Sequence, residues 1–480
     1  MARRRLGRMQ LGQLLLSAVA ALFVLITLPL VVRGEPVADD FHNCLRPTEI
    51  GLGAFLAESA SRLGVVRPAR FLEIFTIAPL CRRVPFGLIV LIPLAVTLLV
   101  AFLLRGLLRD LYVPGPWPEI GAATWLLHPV GAEAALWPSA LHVPLGLALA
   151  LGAMRLHLRG HPGWGTFAAL GAFLSLEQTI LALPLAVWMI GKEDDRRRSV
   201  MLTGVAAGIV AVAYATWAGW DPRSAIPLSE RVAGIFKDLR WYAEFPPAGL
   251  GLYSIPLALW WAFPLSAFLV PLGAWLGTRL RSALGADYRL QRLNRRQVTH
   301  WAWGFVVLII LVNLPLMTTV PRGHSPRTFS PTWLILSALV PLVVTRVAFP
   351  RAQWVWAGAG AFAVVALLSI ALSVSVRLHT DEFTETTSRY LASQVSDGDL
   401  IAVCGVRRTV TSPAPLGDFA LHQFTFPWAA HDSLLYYTGR QARFRLGGPL
   451  WGTNCPRLDG ADFVVTFDQL LAVSARDDRS

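Results

Sequence analysis

Long apolar runs separated by short polar connectors make up most of this chain. The runs lie at 11–32, 86–104, 117–135, 138–156, 199–218, 252–276, 299–319, 331–348 and 353–376. Each is close to the length of about 20 residues that a helix needs to cross the hydrocarbon core of a bilayer. The pattern therefore predicts an α-helical polytopic membrane protein, and the run at 11–32 is interpreted as a retained first helix.

The apolar stretch at 165–191 has basic connectors on both sides, with Arg159 before it and Lys192 after it. One helix would place these connectors on opposite sides of the membrane. Two short helices in a shallow hairpin return the chain to its starting side, and this interpretation is preferred. Glu177-Gln178 then forms the polar tip and Pro184 assists the turn. With the hairpin counted as two, the chain has about eleven transmembrane helices.

Charge gives the expected orientation. Arginine clusters such as Arg105 with Arg109, Arg155 with Arg159, and Arg196–Arg198 fall in alternate connectors, as the positive-inside rule predicts for cytoplasmic loops. We therefore expect the N-terminus inside and the C-terminus outside. Only 15% of the residues are charged, and the net charge of +13 comes largely from these connectors. Because no basic patch interleaved with aromatic residues accompanies them, a nucleic-acid partner is excluded and the lipid bilayer is expected.

The tail after Arg377 differs from the rest, because it is polar and rich in turns. Predicted strands (Leu400–Val403 and Phe463–Thr466) alternate with predicted helices (Thr384–Val395 and Asp432–Tyr437). The pattern indicates a small α/β domain on the exoplasmic side. The chain thus divides into a multi-pass transmembrane domain at 1–376 and an exoplasmic α/β domain at 377–480.

The four cysteines all fall in segments expected outside. Cys44 and Cys81 lie in the first outer loop, 33–85, and Cys404 and Cys455 lie in the tail. None has a spacing typical of zinc ligands. Two disulfides, most simply Cys44–Cys81 and Cys404–Cys455, are expected in an oxidising exterior.

An acidic pair, Asp39 and Asp40, follows the first helix at the outer boundary of the membrane. Carboxylates are costly at this depth and usually serve a function there. His42 follows two residues later and could join the pair in substrate or metal binding. Further candidates with ionisable side chains are His128, Glu133, His142 and Glu177.

This layout resembles the GT-C class of membrane glycosyltransferases, and most closely its protein mannosyltransferase and aminoarabinose transferase branch. The likeness rests on the acidic pair after helix one, the many spans and the exoplasmic tail. The tail adds two short motifs, Asp397-Gly-Asp-Leu-Ile-Ala-Val403 and Ser433-Leu-Leu-Tyr-Tyr-Thr-Gly439. One departure is Glu177-Gln178, which stands where related enzymes often carry a basic residue for the carrier phosphate.

The resemblance implies an inverting glycosyltransferase in the cytoplasmic membrane. It would move a sugar from a polyprenyl-phosphate carrier to a lipid, glycan or protein acceptor on the exoplasmic face. Asp39 or Asp40 would remove the acceptor proton, a type of assistance that contributes about 10²–10⁴-fold. The other carboxylate would orient the acceptor or bind a divalent cation, Mg or Mn. No cofactor is otherwise expected.

Basic residues expected on the outer face could hold the carrier phosphate, since arginine offers a bidentate fork to phosphate oxygens. They are Arg223, Arg231, Lys237, Arg240, Arg322 and Arg327. The main alternative function is a transporter or flippase of lipid-linked saccharide, although no internal repeat is evident. An O-acyltransferase using His128 or His142 as the base, and a structural membrane protein, are further alternatives.

Overall fold

The computed structural model describes residues 2–36, 39–51, 53–55, 57, 77–81, 83–127, 134–191, 193–218, 271–279, 295–319, 330–346, 352–406, 423–425, 427–447, 455 and 460–477. The helices are α1 (Ala2–Arg33), α2 (Asp39–Ile50), α3 (Phe86–Ile89), α4 (Leu91–Asp110), α5 (Trp117–Leu126), α6 (His142–Leu158), α7 (Pro162–Ser175), α8 (Thr179–Ile190), α9 (Glu193–Ala218), α10 (Arg295–Thr319), α11 (Ser330–Arg346), α12 (Ala352–Gln394), α13 (Pro427–Thr438) and α14 (Phe467–Asp477). The strands are β1 (Leu400–Cys404), β2 (Arg443–Leu446) and β3 (Phe463–Thr466).

Four helices in the described part of the chain are long and apolar enough to cross a membrane. They are Gln10–Arg33, Phe86–Asp110, Pro138–Leu158 and Ala359–Gln394. These helices are compatible with a membrane protein, but the expected count of about eleven is not supported. One reason is length: the run predicted at 117–135 contains α5, which has 10 residues, whereas a crossing needs about 20. Most of the run at 252–276 lies outside the described residues.

The stretch between α6 and α9 forms the predicted pair of short helices. α7 and α8 have 14 and 12 residues, and the break between them contains Glu177. A Cβ atom added to Gly160 would lie 3.7 Å from Asp195, while the Gly191 carbonyl accepts a 3.0 Å hydrogen bond from Arg196. Both ends of the pair therefore reach the first turns of α9, so the two short helices turn back as expected. The return of the chain to one side of a membrane stays a prediction. The role predicted for Pro184 is wrong, because Pro184 lies inside α8.

Two carboxylates, Glu119 and Asp110, form ion pairs with arginines of successive connectors at one end of the helix bundle. Arg105 and Arg109, near the C-terminal end of α4, both donate to the fully buried Glu119 of α5, at 2.9 and 2.5 Å. Asp110 accepts from Arg155 of α6 at 2.8 Å. The connectors that charge patterning assigns to one side thus share one end of the helix bundle.

The tail forms a small unit around a three-stranded parallel sheet in the order β2-β1-β3. β1 is buried along its whole length and pairs Ile401 with Phe444 on one side and with Phe463 on the other. The core of the unit contains Phe383, Leu391, Ile401, Val403, Leu434 and Leu470. The expected strands at Leu400 and Phe463 are present, and β2 and α14 are additional.

α12 joins the apolar part of the chain to this unit without interruption. It runs for 43 residues from Ala352 to Gln394, so the predicted domain boundary at 376/377 falls inside a helix. Its last turns carry Phe383 and Leu391 into the core around the sheet.

Both expected disulfides are present, Cys44–Cys81 and Cys404–Cys455. The first joins α2 to the turn that precedes α3. The second joins the end of β1 to the segment between β2 and β3.

Candidate functional site

The acidic pair begins a helix of its own. α1 ends at Arg33, a short connector follows, and Asp39 and Asp40 are the first two residues of α2. The inward face of α2 is buried through Phe41, Cys44 and Leu45. Burial of this face and the disulfide at Cys44 fix α2 against the helix bundle. The contacts of the Asp39 side chain lie outside the described residues.

Asp40 is fully buried and is held by Ser139. Its Oδ1 atom accepts hydrogen bonds from the Ser139 backbone N–H at 3.0 Å and from the Ser139 hydroxyl at 2.5 Å. The Asn43 amide donates in turn to the Ser139 hydroxyl oxygen at 2.8 Å. Ser139 belongs to the 3-10 turn Pro138–Ala140 that leads into α6. The Asp40 carboxylate therefore lies at the start of a candidate membrane span, where negative charge is favourable.

The backbone of Glu35, just before the acidic pair, is clamped by α12. The Glu35 N–H donates to Asp381 Oδ2 at 3.2 Å, and the Glu35 carbonyl accepts from the Arg377 guanidinium at 2.5 Å. Arg377 and Asp381 are themselves paired at 2.8 Å and are almost completely buried. The ion pair thus holds both the N–H and the carbonyl group of Glu35, and so positions the start of α2.

The Glu35 side chain has an unusual charge environment. Burial, followed by the negative charges of Asp381 and Glu385, raises the pKa of the Glu35 carboxyl from 4.5 to about 7. The guanidinium of Arg377 and a hydrogen bond from the Tyr436 hydroxyl act in the opposite direction. A carboxyl group with such a pKa can exchange a proton at neutral pH, which is the property required of a general acid or base.

Phe41 of α2 packs against two tyrosine rings of α13 beside Glu35 and Asp381. Phe41 packs edge-on against Tyr436 and Tyr437 of α13, with ring centroids 5.5 and 5.9 Å apart. The buried Tyr437 hydroxyl has no hydrogen-bond partner in the described part of the chain. Burial, and then the charges of Glu35 and Asp381, raise the pKa of Tyr437 well above its ordinary value. Tyr437 therefore remains a neutral donor beside two carboxyl groups.

His42 connects α2 to the C-terminal unit. Its Nδ1 atom lies 3.2 Å from Asp432 Oδ2 of α13, and its ring packs against Phe55 at 5.3 Å. In the structure His42 links α2 to α13. Its expected part in substrate or metal binding remains a prediction.

Several sequence-based candidates fall outside the described residues. They are the basic side chains Arg223, Arg231, Lys237, Arg240, Arg322 and Arg327, together with His128 and Glu133. His142 is buried in the first turn of α6. Within the ranges described, no three His, Cys, Asp or Glu side chains come together as metal ligands.

Glu35, Arg377, Asp381 and Tyr437 are functional candidates that the sequence reasoning did not select. Two signals could have drawn attention to them. Arg377 and Asp381 are separated by four residues directly after the last apolar run, the spacing of a helical ion pair. Tyr437 belongs to the Tyr-Tyr motif that the family resemblance uses. Only the fold, however, brings these residues next to Glu35.

Comparisons with known proteins give no significant match to a family model, a curated protein or a solved structure. The chemistry of the residues therefore carries the functional argument.

Proposed function

We propose that this protein is an inverting glycosyltransferase of the GT-C type that uses a polyprenyl-phosphate sugar as donor. In this proposal the apolar helices are embedded in the cytoplasmic membrane, the N-terminus is inside and the C-terminal α/β unit is outside. The acceptor is a lipid, a glycan or a protein on the exoplasmic face. The residues that support the proposal do not specify which sugar is transferred.

The observation that carries the proposal is the burial of Asp40 at the start of α2. A carboxylate removed from water needs compensation, and here two donors from Ser139 supply it. The arrangement holds the first turn of α2, with Asp39 as its first residue, at the junction of α1, α6 and the C-terminal unit. A structural membrane protein has no need for two successive acids at this point.

The two carboxylates take different roles in this mechanism. Because Asp40 is engaged with Ser139, we assign it to positioning and assign the base to Asp39. Asp39 accepts the proton of the acceptor hydroxyl while the hydroxyl oxygen bonds to the anomeric carbon. The bond from that carbon to the phosphate oxygen breaks at the same time, and the phosphate leaves with the electron pair.

The leaving phosphate requires positive charge that is in place before the reaction. Arg223, Arg231, Lys237, Arg240, Arg322 and Arg327 are the proposed source.

Single substitutions of the acidic pair test the proposal. In reconstituted vesicles, polyprenyl-phosphate hexose and pentose donors labelled in the sugar would be supplied together with membranes of the source organism as acceptor. Asp39→Asn is expected to lower the rate constant for transfer by about 10²–10⁴-fold with unchanged thermal stability. Asp40→Asn is expected to lower the thermal unfolding temperature as well, because it weakens the link to Ser139.

Glu49→Gln is the matched control, since Glu49 is an exposed acid on the same helix and pairs only with Arg46 among the described residues. It should leave transfer unchanged. A flippase of lipid-linked saccharide gives a different result: labelled donor would cross the bilayer without transfer, and at nearly the same rate in all three variants. That outcome would reject the transferase.

A further inference from the structure

A cavity of about 540 Å³ opens where α8 meets α9, far from the acidic pair in the sequence. It is lined by Trp188, Arg196, Arg197, Val200 and Met201. These residues combine one aromatic ring, two guanidinium groups and two aliphatic side chains. Such a lining is suited to a ligand that is both anionic and apolar.

The positive charge of the cavity is partly fixed in place. Arg196 donates from Nε and Nη2 to the Gly191 carbonyl at 3.1 and 3.0 Å, which holds its guanidinium against the turn between α8 and α9. Arg197 is exposed. Within the described part of the chain, no carboxylate forms an ion pair with either arginine. Asp195, one residue earlier, instead lies beside Gly160. Two guanidinium groups therefore line the cavity. Guanidinium groups bind phosphate oxygens in a bidentate manner.

An apolar surface continues from the cavity along α9. Met201, Val205, Ile209 and Val212 are each between 57% and 64% exposed. Their spacing of three or four residues places them on one face of the helix. Trp188 at the cavity is half-exposed, and tryptophan is typical of the boundary between hydrocarbon and headgroups. A long acyl chain can lie along this face with its headgroup in the cavity, whereas a free anion would use only the arginines.

The geometry points to a binding site for an anionic phospholipid, with the phosphodiester headgroup between Arg196 and Arg197 and an acyl chain along the exposed face of α9. The site is independent of the proposed glycosyl transfer. It would anchor the α7–α8 hairpin, whose helices are too short to cross the bilayer, at the membrane surface.

Native mass spectrometry of the purified full chain tests this site with three probes: phosphatidylglycerol, phosphatidylcholine and inorganic phosphate. The wild type is expected to retain phosphatidylglycerol in preference to phosphatidylcholine and to ignore millimolar phosphate. Arg197→Gln should lower the affinity for phosphatidylglycerol about fivefold. Trp188→Ala should lower it too. Arg196 is left unchanged, because its replacement would also disturb the turn at Gly191.

Arg198→Gln is the matched control. Arg198 is exposed on the same helix and does not line the cavity, so the variant carries the same loss of charge and should bind phosphatidylglycerol within twofold of the wild type. Equal affinities of the Arg197 and Arg198 variants would overturn the proposal. So would equal retention of phosphatidylcholine, or displacement of the lipid by an equal concentration of inorganic phosphate. Thermal unfolding of each variant identifies any that fails to fold.

Discussion

Two acids that are close in sequence, Asp40 and Glu35, have opposite electrostatic environments. The Asp40 carboxylate receives two hydrogen bonds from Ser139. The Glu35 carboxyl lies near Asp381 and Glu385, and the nearby negative charges together with burial favour its protonated form. The first acid is stabilised by donors, whereas the second retains a proton up to about neutral pH. They are expected to respond differently to pH and to substitution.

Glu35→Gln tests the proton at this position. Because the pKa of Glu35 rises from 4.5 to about 7 on folding, its favourable contribution is complete below pH 4.5 and is lost as the pH rises to about 7. After allowance for its partial exposure to water, this loss is on the order of 1–2 kcal/mol. A glutamine stays neutral at every pH. The thermal unfolding temperature of the variant in detergent should therefore fall less between pH 4.5 and 7 than that of the wild type.

The control for this experiment is again Glu49→Gln, which removes an exposed acid from α2. It should reproduce the pH dependence of the wild type. If Glu35→Gln showed that same dependence, the proton assigned to Glu35 would be located elsewhere.

Ser139→Ala tests the link between α2 and α6. The change removes one of the two donors to Asp40 and the acceptor of Asn43. Since a buried carboxylate then lacks part of its compensation, the free energy of unfolding should fall by about 1–3 kcal/mol, measured by denaturant titration.

Ser175→Ala is the comparison for Ser139→Ala. Ser175 is also buried, but its hydroxyl donates only to the Gly171 carbonyl of its own helix among the described residues. Its loss should cost less than about 1 kcal/mol. Equal effects of the two substitutions would show that the Asp40–Ser139 contact contributes no more than an ordinary helix hydroxyl.

At the residue scale, the sequence indicates Asp39 and Asp40 as candidates because of their position after the first apolar run. It does not indicate Glu35, since the residues that hold its backbone, Arg377 and Asp381, are more than 340 positions away. Contacts at that range depend on the packing of α12 against α1, which no local pattern encodes.

At the scale of elements, charge on the connectors and the length of the segment between them predicted the two short helices α7 and α8. The basic residues on both sides required the chain to return, and the break at Glu177 supplied the turn. β2 was not predicted, because Arg443-Phe-Arg-Leu446 is a four-residue edge strand with exposed arginines. Such a segment looks like a loop until β1 is present to pair with it.

Cysteine labelling tests the hairpin directly. His161→Cys and Arg198→Cys place single exposed thiols before α7 and on the first turns of α9. Because the native cysteines in the described structure are paired in disulfides, only the new thiol should react with a membrane-impermeant maleimide. Both positions are expected to react from the same side of sealed vesicles.

Gln441→Cys, an exposed position in the C-terminal unit, provides the reference for the other side. It should react from the face opposite to His161→Cys. Labelling of positions 161 and 198 from opposite faces would mean that the segment between them crosses once, and the hairpin would have to be abandoned.

At the scale of the whole molecule, α2 is the point where separate parts of the chain meet. A disulfide joins it to the turn before α3, Asp40 joins it to α6, and His42 joins it to α13. The ion pair of Arg377 and Asp381 holds the connector that leads into it. The position of the acidic pair is therefore a property of the complete fold, and a fragment that lacks the C-terminal unit should not reproduce it.

α12 gives this arrangement a mechanical property. A helix of 43 residues measures about 65 Å at 1.5 Å per residue, and an unbroken helix bends only gently. In the proposed topology, the apolar part of α12 crosses the bilayer and must match the thickness of the hydrocarbon layer. A thinner bilayer would tilt α12 and displace its C-terminal part sideways, together with Arg377 and Asp381. A change in bilayer thickness would thus change the position of α2, because α12 transmits the tilt as a rigid helix.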